Sequence, residues 1–402
     1  MAVTLPDDVV LERGGRIVLV VMDGLGGLPH AEHGRTELEA ARTPNLDALA
    51  RRAALGLHIP VEHGIAPGSG PGHLALFGYD PLRYDIGRGV LSALGVGFAL
   101  EPGDIAIRLN FATLDAAGRV VDRRAGRPSD AENRRLIERL RSGVAAPRGV
   151  RVFFEPEKEH RAVLVLRGDG LLPEVTDTDP QAEGVPPLVA EAKVDGARAT
   201  ASALNAVLGE ARRVLAGEPA ANALLARGID AYARLPSFGE RFHLRAQAIA
   251  RYPMYNGVAR LVGMDARPLS ATDADSVGVL EAGFTEYAFH FIHFKAIDSR
   301  GEDGDFAAKV AAIEAVDALM PRIVSLAPDV LLVTGDHSTP ATWRAHSWHP
   351  VPILIASRWC RGSADAVFGE RSCLAGELGV FPAVRIMSLA LAHAGRLAKY
   401  GA

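Results

Sequence analysis

The sequence predicts an α/β fold: a core sheet with helices on both faces, interrupted by a smaller inserted α+β domain. Three observations carry this expectation. Residues 17–22 are continuously apolar and rich in β-branched side chains, and 329–334 carry the apolar run Val330-Leu331-Leu332-Val333, the pattern of strands buried on both faces. Helix signals follow such runs, which is the alternation that builds α/β architectures. Between residues 98 and 187 the texture changes to short alternating segments separated by turns. The expected domains are therefore a discontinuous core, 1–97 with 188–402, and an insert, 98–187.

Taken in order, the strand 17–22 ends at Asp23-Gly24, and Thr43-Pro44 opens a helix reaching about residue 54, with proline at its first position. Pro67-Gly68-Ser69-Gly70-Pro71-Gly72-His73 then forms a tight bend ahead of a short apolar helix. Inside the insert, segments 105–110, 150–154 and 162–166 read as strands, with a charged helix at 129–142 between them. An alanine-rich helix at 197–215 is expected to lead back to the core, followed by a strand at 245–250. Residues 287–297 form an aromatic strand ending at Asp298, and Asp305 caps a helix carrying Phe306, Val310, Ile313, Val316, Met320 and Ile323 at helical spacing. The strand at 329–334 ends at Gly335-Asp336-His337; a short strand at 351–355 and a helix at 382–398 close the chain.

Composition narrows the function classes. A net charge of −4 over 402 residues offers no general attraction for nucleic acid or an anionic membrane. Only Lys158, Lys193, Lys295, Lys309 and Lys399 are lysines among 44 basic residues, so arginine is the default cation. Cys360 and Cys373 lack CxxC spacing and read as free buried thiols of a reducing compartment. The acidic N-terminus, residues 1–8, carries no signal-peptide pattern, and no uncharged run has membrane-spanning length. A cytoplasmic protein of enzyme size is expected.

The chemistry collects at strand ends. Asp23, Asp298 and Asp336 each follow a buried strand, and an open sheet binds ligands beyond its strand carboxyl ends. His337, Glu302 and His346 lie close by in sequence. Gathered carboxylates repel unless a cation lies among them, and a mixed carboxylate and imidazole set suits divalent metals. Each aspartate alone also suits a cap or a turn, and Ser69 alone suits a capped bend. At a helix N-terminus, however, unpaired N–H groups favour a serine that attacks or carries phosphate. Two rival motifs fail on spacing. Pro67 and Pro71 stand where a hydrolase elbow needs glycines, and the stretch from Asp23 to Pro29 lacks the third glycine of a dinucleotide fingerprint. The acidic loop 298–305 has its glycines misplaced for a calcium hand.

Together these stretches resemble the alkaline phosphatase superfamily and, within it, the cofactor-independent phosphoglycerate mutases of the archaeal type. The resemblance rests on Val21-Met22-Asp23-Gly24, Thr43-Pro44-Asn45-Leu46-Asp47, Gly68-Ser69 with His73, Phe77-Gly78-Tyr79-Asp80-Pro81, Gly87-Arg88-Gly89, residues 122–127, Thr176-Asp177-Thr178-Asp179-Pro180, Tyr252-Pro253-Met254-Tyr255 and residues 334–340. It implies an alkaline-phosphatase-like core sheet, a Ser69 nucleophile and two metal positions. Asp23, Ser69, Asp336 and His337 match the position that activates the serine; Asp298, Glu302 and His346 match the other. Relatives carry histidine where Glu302 stands and aspartate where Gly70 stands. The added carboxylate favours manganese or magnesium over zinc.

The implied reaction is interconversion of 2-phosphoglycerate and 3-phosphoglycerate through a phosphoserine, with no 2,3-bisphosphoglycerate required. Cationic clamps for the substrate's phosphate and carboxylate are expected among Arg88, Arg108, Arg123, Arg124, Arg127, Arg161 and Lys295. Arg123 and Arg124 stand out because they lie in a matched motif, and Lys295 because it lies on the strand before Asp298. Two alternatives share the same residues: a metal-dependent phosphatase on another phosphomonoester, and a non-catalytic metal-binding protein.

Overall fold

The computed structural model of the protein describes residues 9–32, 34–84 and 86–401. The acidic N-terminal stretch and Asp85 lie outside the described residues. The chain divides into two compact units, residues 1–85 with 236–402 and residues 86–235. The second is wider than the expected 98–187, because the helices Arg88–Gly95 and Arg198–Val214 and the strand Ala223–Ala231 belong to it. That last strand pairs along nearly the whole of Ile105–Leu114, a partnership that local sequence texture could not reveal.

The strands are β1 Ile17–Met22, β2 Ala53–Ile59, β3 Ile105–Leu114, β4 Val120–Asp122, β5 Arg151–Pro156, β6 Arg161–Arg167, β7 Ala223–Ala231, β8 Ala246–Ile249, β9 Asp265–Ala266, β10 Phe289–Phe294, β11 Val330–Thr334, β12 Val351–Ser357 and β13 Gly379–Pro382. In the first unit eight of them form one sheet, ordered β13-β2-β12-β11-β1-β10-β8-β9. It is mixed: β12 runs antiparallel to both β11 and β2, while the remaining pairs are parallel. Every residue of β1, β10 and β11 is buried, as their unbroken apolar runs require. Val18, Val20 and Met22 pack with Ile292, Phe294, Leu331 and Val333 in the core on one face. Each such side chain stabilises the fold by about 1.5–3 kcal/mol.

The second unit is a five-stranded sheet in which β3 pairs antiparallel with β4, β6 and β7, and β6 with β5. Its core joins Ile107, Leu109 and Phe111 of β3 to Leu136, Ile137 and Leu140 of the Asp130–Gly143 helix and to Leu204 and Val207 of the Arg198–Val214 helix. The alanine-rich helix therefore closes this unit and does not lead back to the first.

Several elements depart from the expected boundaries. The helix after Thr43 stops at Ala50 and the chain re-enters the sheet as β2, which the sequence reading missed. Thr43 makes no capping bond there; the buried Asp317 carboxylate accepts from the backbone N–H of Leu46 at 2.8 Å instead. β10 ends at Phe294, so Asp298 falls in the first turn of the following helix, Ala296–Asp303, and not at the strand end. The apolar stripe from Phe306 is carried by two helices, Phe306–Asp317 and Met320–Ser325, with Pro321 starting the second. The expected closing helix is shorter, Ile386–His393, preceded by β13. No helix among the described residues is long and apolar enough to cross a membrane.

Two histidines are buried in this sheet as neutral rings. His58 on β2 lies 2.8 Å from Thr334 Oγ1 and 3.1 Å from the Gly335 carbonyl, and burial lowers its pKa to about 3. Burial likewise lowers His290 on β10 to about 4, with its Nδ1 2.8 Å from Gln247 Nε2. Both folded values lie below the unfolded one, so the unfolded chain binds more protons. The stability they contribute is complete above pH 6.5 and is lost as pH falls toward 4. Urea midpoints taken between pH 7 and 4.5 should drop with a limiting slope of about 1.4 kcal/mol per pH unit for each ring. His58→Gln should flatten that slope; an identical slope in the variant would remove His58 from the account.

Candidate active site

Beyond the carboxyl ends of β1 and β11, the loops carrying Asp23 and Asp336-His337 meet the N-terminus of the Ser69–Leu76 helix. Gly68 is the N-cap and Ser69 the first helical residue, so the serine does not cap the helix with its side chain. Glycine at 72 is required sterically: a Cβ there would collide with the Asp336 carbonyl oxygen. Gly24 has φ +64°, and a Cβ on it would crowd Asp298 and Thr339. These two glycines let three chain segments approach backbone to backbone.

Asp23, Asp336 and His337 are fully buried, and one ligand atom from each lies within 4.8 Å of the others. His337 Nε2 stands 3.3 Å from Asp23 Oδ1, 3.3 Å from Asp336 Oδ2 and 3.3 Å from Ser69 Oγ. The tautomer follows from the other ring nitrogen. Thr339 Oγ1 donates to Asp298 Oδ1 at 2.7 Å, so it accepts from His337 Nδ1–H at 2.9 Å, which leaves the Nε2 lone pair facing the two carboxylates. Asp23 Oδ1 and Asp336 Oδ2 have no hydrogen-bond donor. Two carboxylate oxygens without a donor and a ring lone pair that only the Ser69 hydroxyl reaches are an arrangement that a divalent cation fits.

A second group forms beside the first. His346 Nδ1 donates to the Pro67 carbonyl at 2.8 Å, which turns Nε2 toward Asp298 Oδ1, 3.5 Å away, and Glu302 Oε1, 3.7 Å away. The His346 ring stacks on His337 with centroids 3.6 Å apart. Asp298 is buried, while Glu302 is exposed at the rim. Burial raises the Glu302 pKa, with the Asp298 charge adding to it.

The electrostatics show the strain of this crowding. Asp336 is pushed up to about 6 by burial and by the Asp23 charge. Burial opposes the Asp23 carboxylate too, but His293 and the Lys295 ammonium hold it well below the usual range. Burial lowers the His337 pKa, so the ring is neutral. Lys295, expected as a substrate clamp, is placed between two carboxylates of the site: its Nζ is 3.1 Å from Asp23 Oδ2 and ion-paired with Asp298 Oδ2.

The other expected clamps, Arg88, Arg108, Arg123, Arg124, Arg127 and Arg161, all belong to the second unit. Four of them cluster there. Burial lowers His160 to about 4, and the charges of Arg161, Arg124, Arg108 and Arg127 lower it further. Arg123 stands differently, bound through two nitrogens to the buried Asp179 at 2.9 and 2.7 Å. That bidentate pair anchors the motif, and Arg123 is thereby committed to its own unit's structure. Arg88 begins a helix whose N-cap is Gly87.

Several contributors were not singled out from sequence. Tyr255 OH donates to Asp23 Oδ2 at 2.5 Å, and His293 Nε2 lies 3.2 Å from the same oxygen. His73 Nδ1 donates to the Ser69 carbonyl at 2.7 Å and sits 3.2 Å from Asp336 Oδ2. His73 and Tyr255 lay in the resembling stretches and were legible there, whereas His293 on β10 looks like one more aromatic of a buried strand. Thr339 fixes the His337 tautomer.

Lys309 had no signal at all, since it occupies an apolar helix. It is fully buried, donates to the carbonyls of Gly26 at 3.1 Å and Thr339 at 2.8 Å, and has Glu37 Oε2 3.8 Å away. It thus ties the loop after Asp23 to the loop after His337. Lys309→Met removes the cation and strands Glu37, so a loss of about 3–5 kcal/mol is expected in urea unfolding. Adding Glu37→Gln should recover part of that loss. A double variant as unstable as the sum of the two singles would show that the pair is not coupled.

A family model described as 2,3-bisphosphoglycerate-independent phosphoglycerate mutase matches residues 50–221. A probable 2,3-bisphosphoglycerate-independent phosphoglycerate mutase of Thermus thermophilus is 51% identical over 390 residues, 96% of each chain. Its counterpart from Thermotoga maritima is 49% identical over 394 residues, 98% of this chain and 97% of the relative. Among solved structures, a protein from Pyrococcus horikoshii aligns with TM-score 0.82 at 30% identity, covering 97% of this chain and 100% of that one. The cofactor-independent phosphoglycerate mutase from Thermoplasma acidophilum aligns with TM-score 0.70 at 30% identity, covering 94% and 100%.

Proposed function

The chain belongs to the 2,3-bisphosphoglycerate-independent phosphoglycerate mutase family of isomerases, and from that premise we propose that it interconverts 2-phosphoglycerate and 3-phosphoglycerate by passing the phosphoryl group through Ser69. The observation that carries the mechanism is the position of Ser69 Oγ, at a helix N-terminus and 3.3 Å from the His337 lone pair.

Asp23, Asp336 and His337, with Ser69, would hold one divalent cation; Asp298, Glu302 and His346 would hold a second. Such cations supply Lewis acidity, lowering the pKa of a serine hydroxyl and neutralising phosphoryl oxygens. The oxygen-rich set favours manganese or magnesium over zinc.

The chain's own residues set up the rest. The unpaired N–H groups of the first turn after Gly68 favour negative charge beside Ser69. Ser69 Oγ gives up its proton as it attacks phosphorus in line, the bond from phosphorus to the glycerate oxygen breaks, that oxygen takes up a proton in exchange, and the serine becomes phosphorylated. Glycerate stays bound, presents its other hydroxyl, and that oxygen takes the phosphoryl group while Ser69 is regenerated. The His73 bond to the Ser69 carbonyl holds the serine backbone fixed through both transfers. Retention of glycerate calls for cations that recognise carboxylate and phosphate, the role we give to Arg88, Arg108, Arg124, Arg127 and Arg161. Lys295 holds the Asp23 and Asp298 carboxylates in place through its contacts with both, a positioning role in place of the clamp expected of it.

Ser69→Ala should cut turnover by about 10⁴-fold or more in an enolase-coupled assay, on protein stripped with chelator and refilled with manganese or magnesium. Labelling by substrate phosphate should vanish while divalent-ion binding, followed by calorimetry, persists. Undiminished turnover would refute the nucleophile. Release of inorganic phosphate from 3-phosphoglycerate by the unaltered protein, with no 2-phosphoglycerate formed, would refute the mutase assignment in favour of a phosphatase.

A further inference from the structure

The opposite end of the first unit's sheet holds a second cluster of reactive groups. Because β12 runs antiparallel to β11, its last residue, Ser357, pairs with Val330 at the start of β11, away from Thr334 and the aspartate that follows. A cavity of about 810 Å³ opens there, lined by Cys360, His393 and Ser357 together with Arg51, Arg52, Arg358 and Arg361. Asp329 is the one acidic residue of the lining, and its carboxylate accepts from the Arg16 backbone N–H at 2.8 Å. Arg361 lies 3.4 Å from Glu377, and Arg358 rests over the Trp359 ring, 4.4 Å from its centroid. Guanidinium charge exceeds carboxylate charge in the lining, although the protein as a whole is acidic.

Within this cavity the thiol is not isolated. Cys360 Sγ lies 3.6 Å from Ser357 Oγ and 3.8 Å from His393 Nδ1, and Ser357 Oγ lies 2.7 Å from the same nitrogen. The thiol proton points at the Ile355 carbonyl, 3.1 Å away. Contrary to the expectation of two buried thiols, Cys360 is only half-buried. The other cysteine provides a contrast: Cys373 is buried, and that burial pushes its thiol up to about 12. Burial also works against the Cys360 thiolate, but hydrogen bonds from His393 and Ser357 outweigh it and bring the thiol below its ordinary value.

We propose that Cys360 is a modification site for small anionic disulfides, with the arginines of the cavity receiving the anionic groups and the Ser357–His393 pair stabilising the thiolate. The step balances as an exchange. Cys360 gives its proton to His393, directly or through the Ser357 hydroxyl, and the thiolate attacks one sulfur of the reagent. The reagent's S–S bond breaks, a mixed disulfide forms on Cys360, and the other half leaves as a thiolate. No external oxidant is needed beyond the disulfide. The inference is independent of the phosphoryl chemistry, which uses none of these residues.

The test uses the folded full-length protein and two probes, the dianion 5,5′-dithiobis(2-nitrobenzoate) and the dication cystamine, each normalised to its rate with N-acetylcysteine. Peptide mapping should place the adduct on Cys360 and leave Cys373 unmodified. The normalised rate should favour the dianion at least tenfold at low ionic strength, and 0.5 M salt should shrink that preference. Arg51→Gln with Arg358→Gln should bring the ratio toward one, and His393→Gln should move the rate–pH midpoint upward. His393 is the titratable group in contact with the sulfur, and Asp329 and the four arginines are the charged groups that line the same cavity. A normalised ratio near one in the unaltered protein, or an adduct on Cys373 ahead of Cys360, would overturn the proposal without recourse to any variant.

Discussion

One electrostatic constraint governs the first unit: buried acceptors face one another at the carboxyl edge of its sheet. His337 Nε2 lies 3.3 Å from both Asp23 Oδ1 and Asp336 Oδ2, and neither carboxylate oxygen has a hydrogen-bond donor. Two unit charges about 4 Å apart at an effective dielectric near 20 repel by roughly 4 kcal/mol, a large fraction of a domain's net stability. The surroundings answer with positive groups and donors. Lys295 bridges Asp23 and Asp298, Tyr255 donates to Asp23, the Gly24 N–H donates to Asp336 at 3.2 Å, and Thr339 donates to Asp298. The remaining imbalance appears in Asp336, whose pKa is raised to about 6. Acceptors left facing one another after all this cost the fold stability, and a divalent cation among them would relieve that cost.

Proximity of that kind needs thin backbone, and the glycines supply it. The bend around Ser69 is legible in sequence as a turn because glycine and proline punctuate it. Why glycine must stand at 72 is not legible, since the atom that excludes a Cβ is the carbonyl of Asp336, far along the chain. The same holds for Gly301, where a Cβ would strike the Thr339 carbonyl. Local sequence reports a residue's conformational freedom; tertiary contact decides whether that freedom or mere smallness is being used.

The same distinction explains what else was readable. Strands buried on both faces announce themselves by unbroken apolar runs, so β1, β10 and β11 could be recognised, and with them the places where Asp23 and Asp336 stand. β2 was missed because Ala53-Ala54-Leu55-Gly56 continues the alanine-rich texture of the preceding helix, and only pairing with β12 and β13 makes it a strand. Asp298 was read one element too early: Lys295-Ala296-Ile297 continues the aromatic run without a break, yet the backbone turns helical there. The second unit extends beyond its expected limits because β7 is defined by partnership with β3 and not by its own composition. Lys309 shows the opposite failure, a functional neighbour hidden at a buried position of an apolar helix.

Burial is graded across the site, and the gradient bears on direction. Asp23, Asp336 and His337 are completely enclosed, and His73 and His293 behind them are enclosed as well. Ser69, Lys295 and His346 are partly accessible, and Glu302 is exposed. A nucleophile must meet its substrate, while groups that only hold charge are strongest away from water, where the effective dielectric is low. The site is therefore closed at its carboxylate floor and open along the line from Ser69 to Glu302. A phosphomonoester approaching along that line meets the serine hydroxyl and the first-turn N–H groups before it reaches any buried carboxylate. Glu302 places a carboxylate on that accessible rim, 3.7 Å from His346 Nε2, where its charge faces an incoming phosphate unless a positive group lies between them.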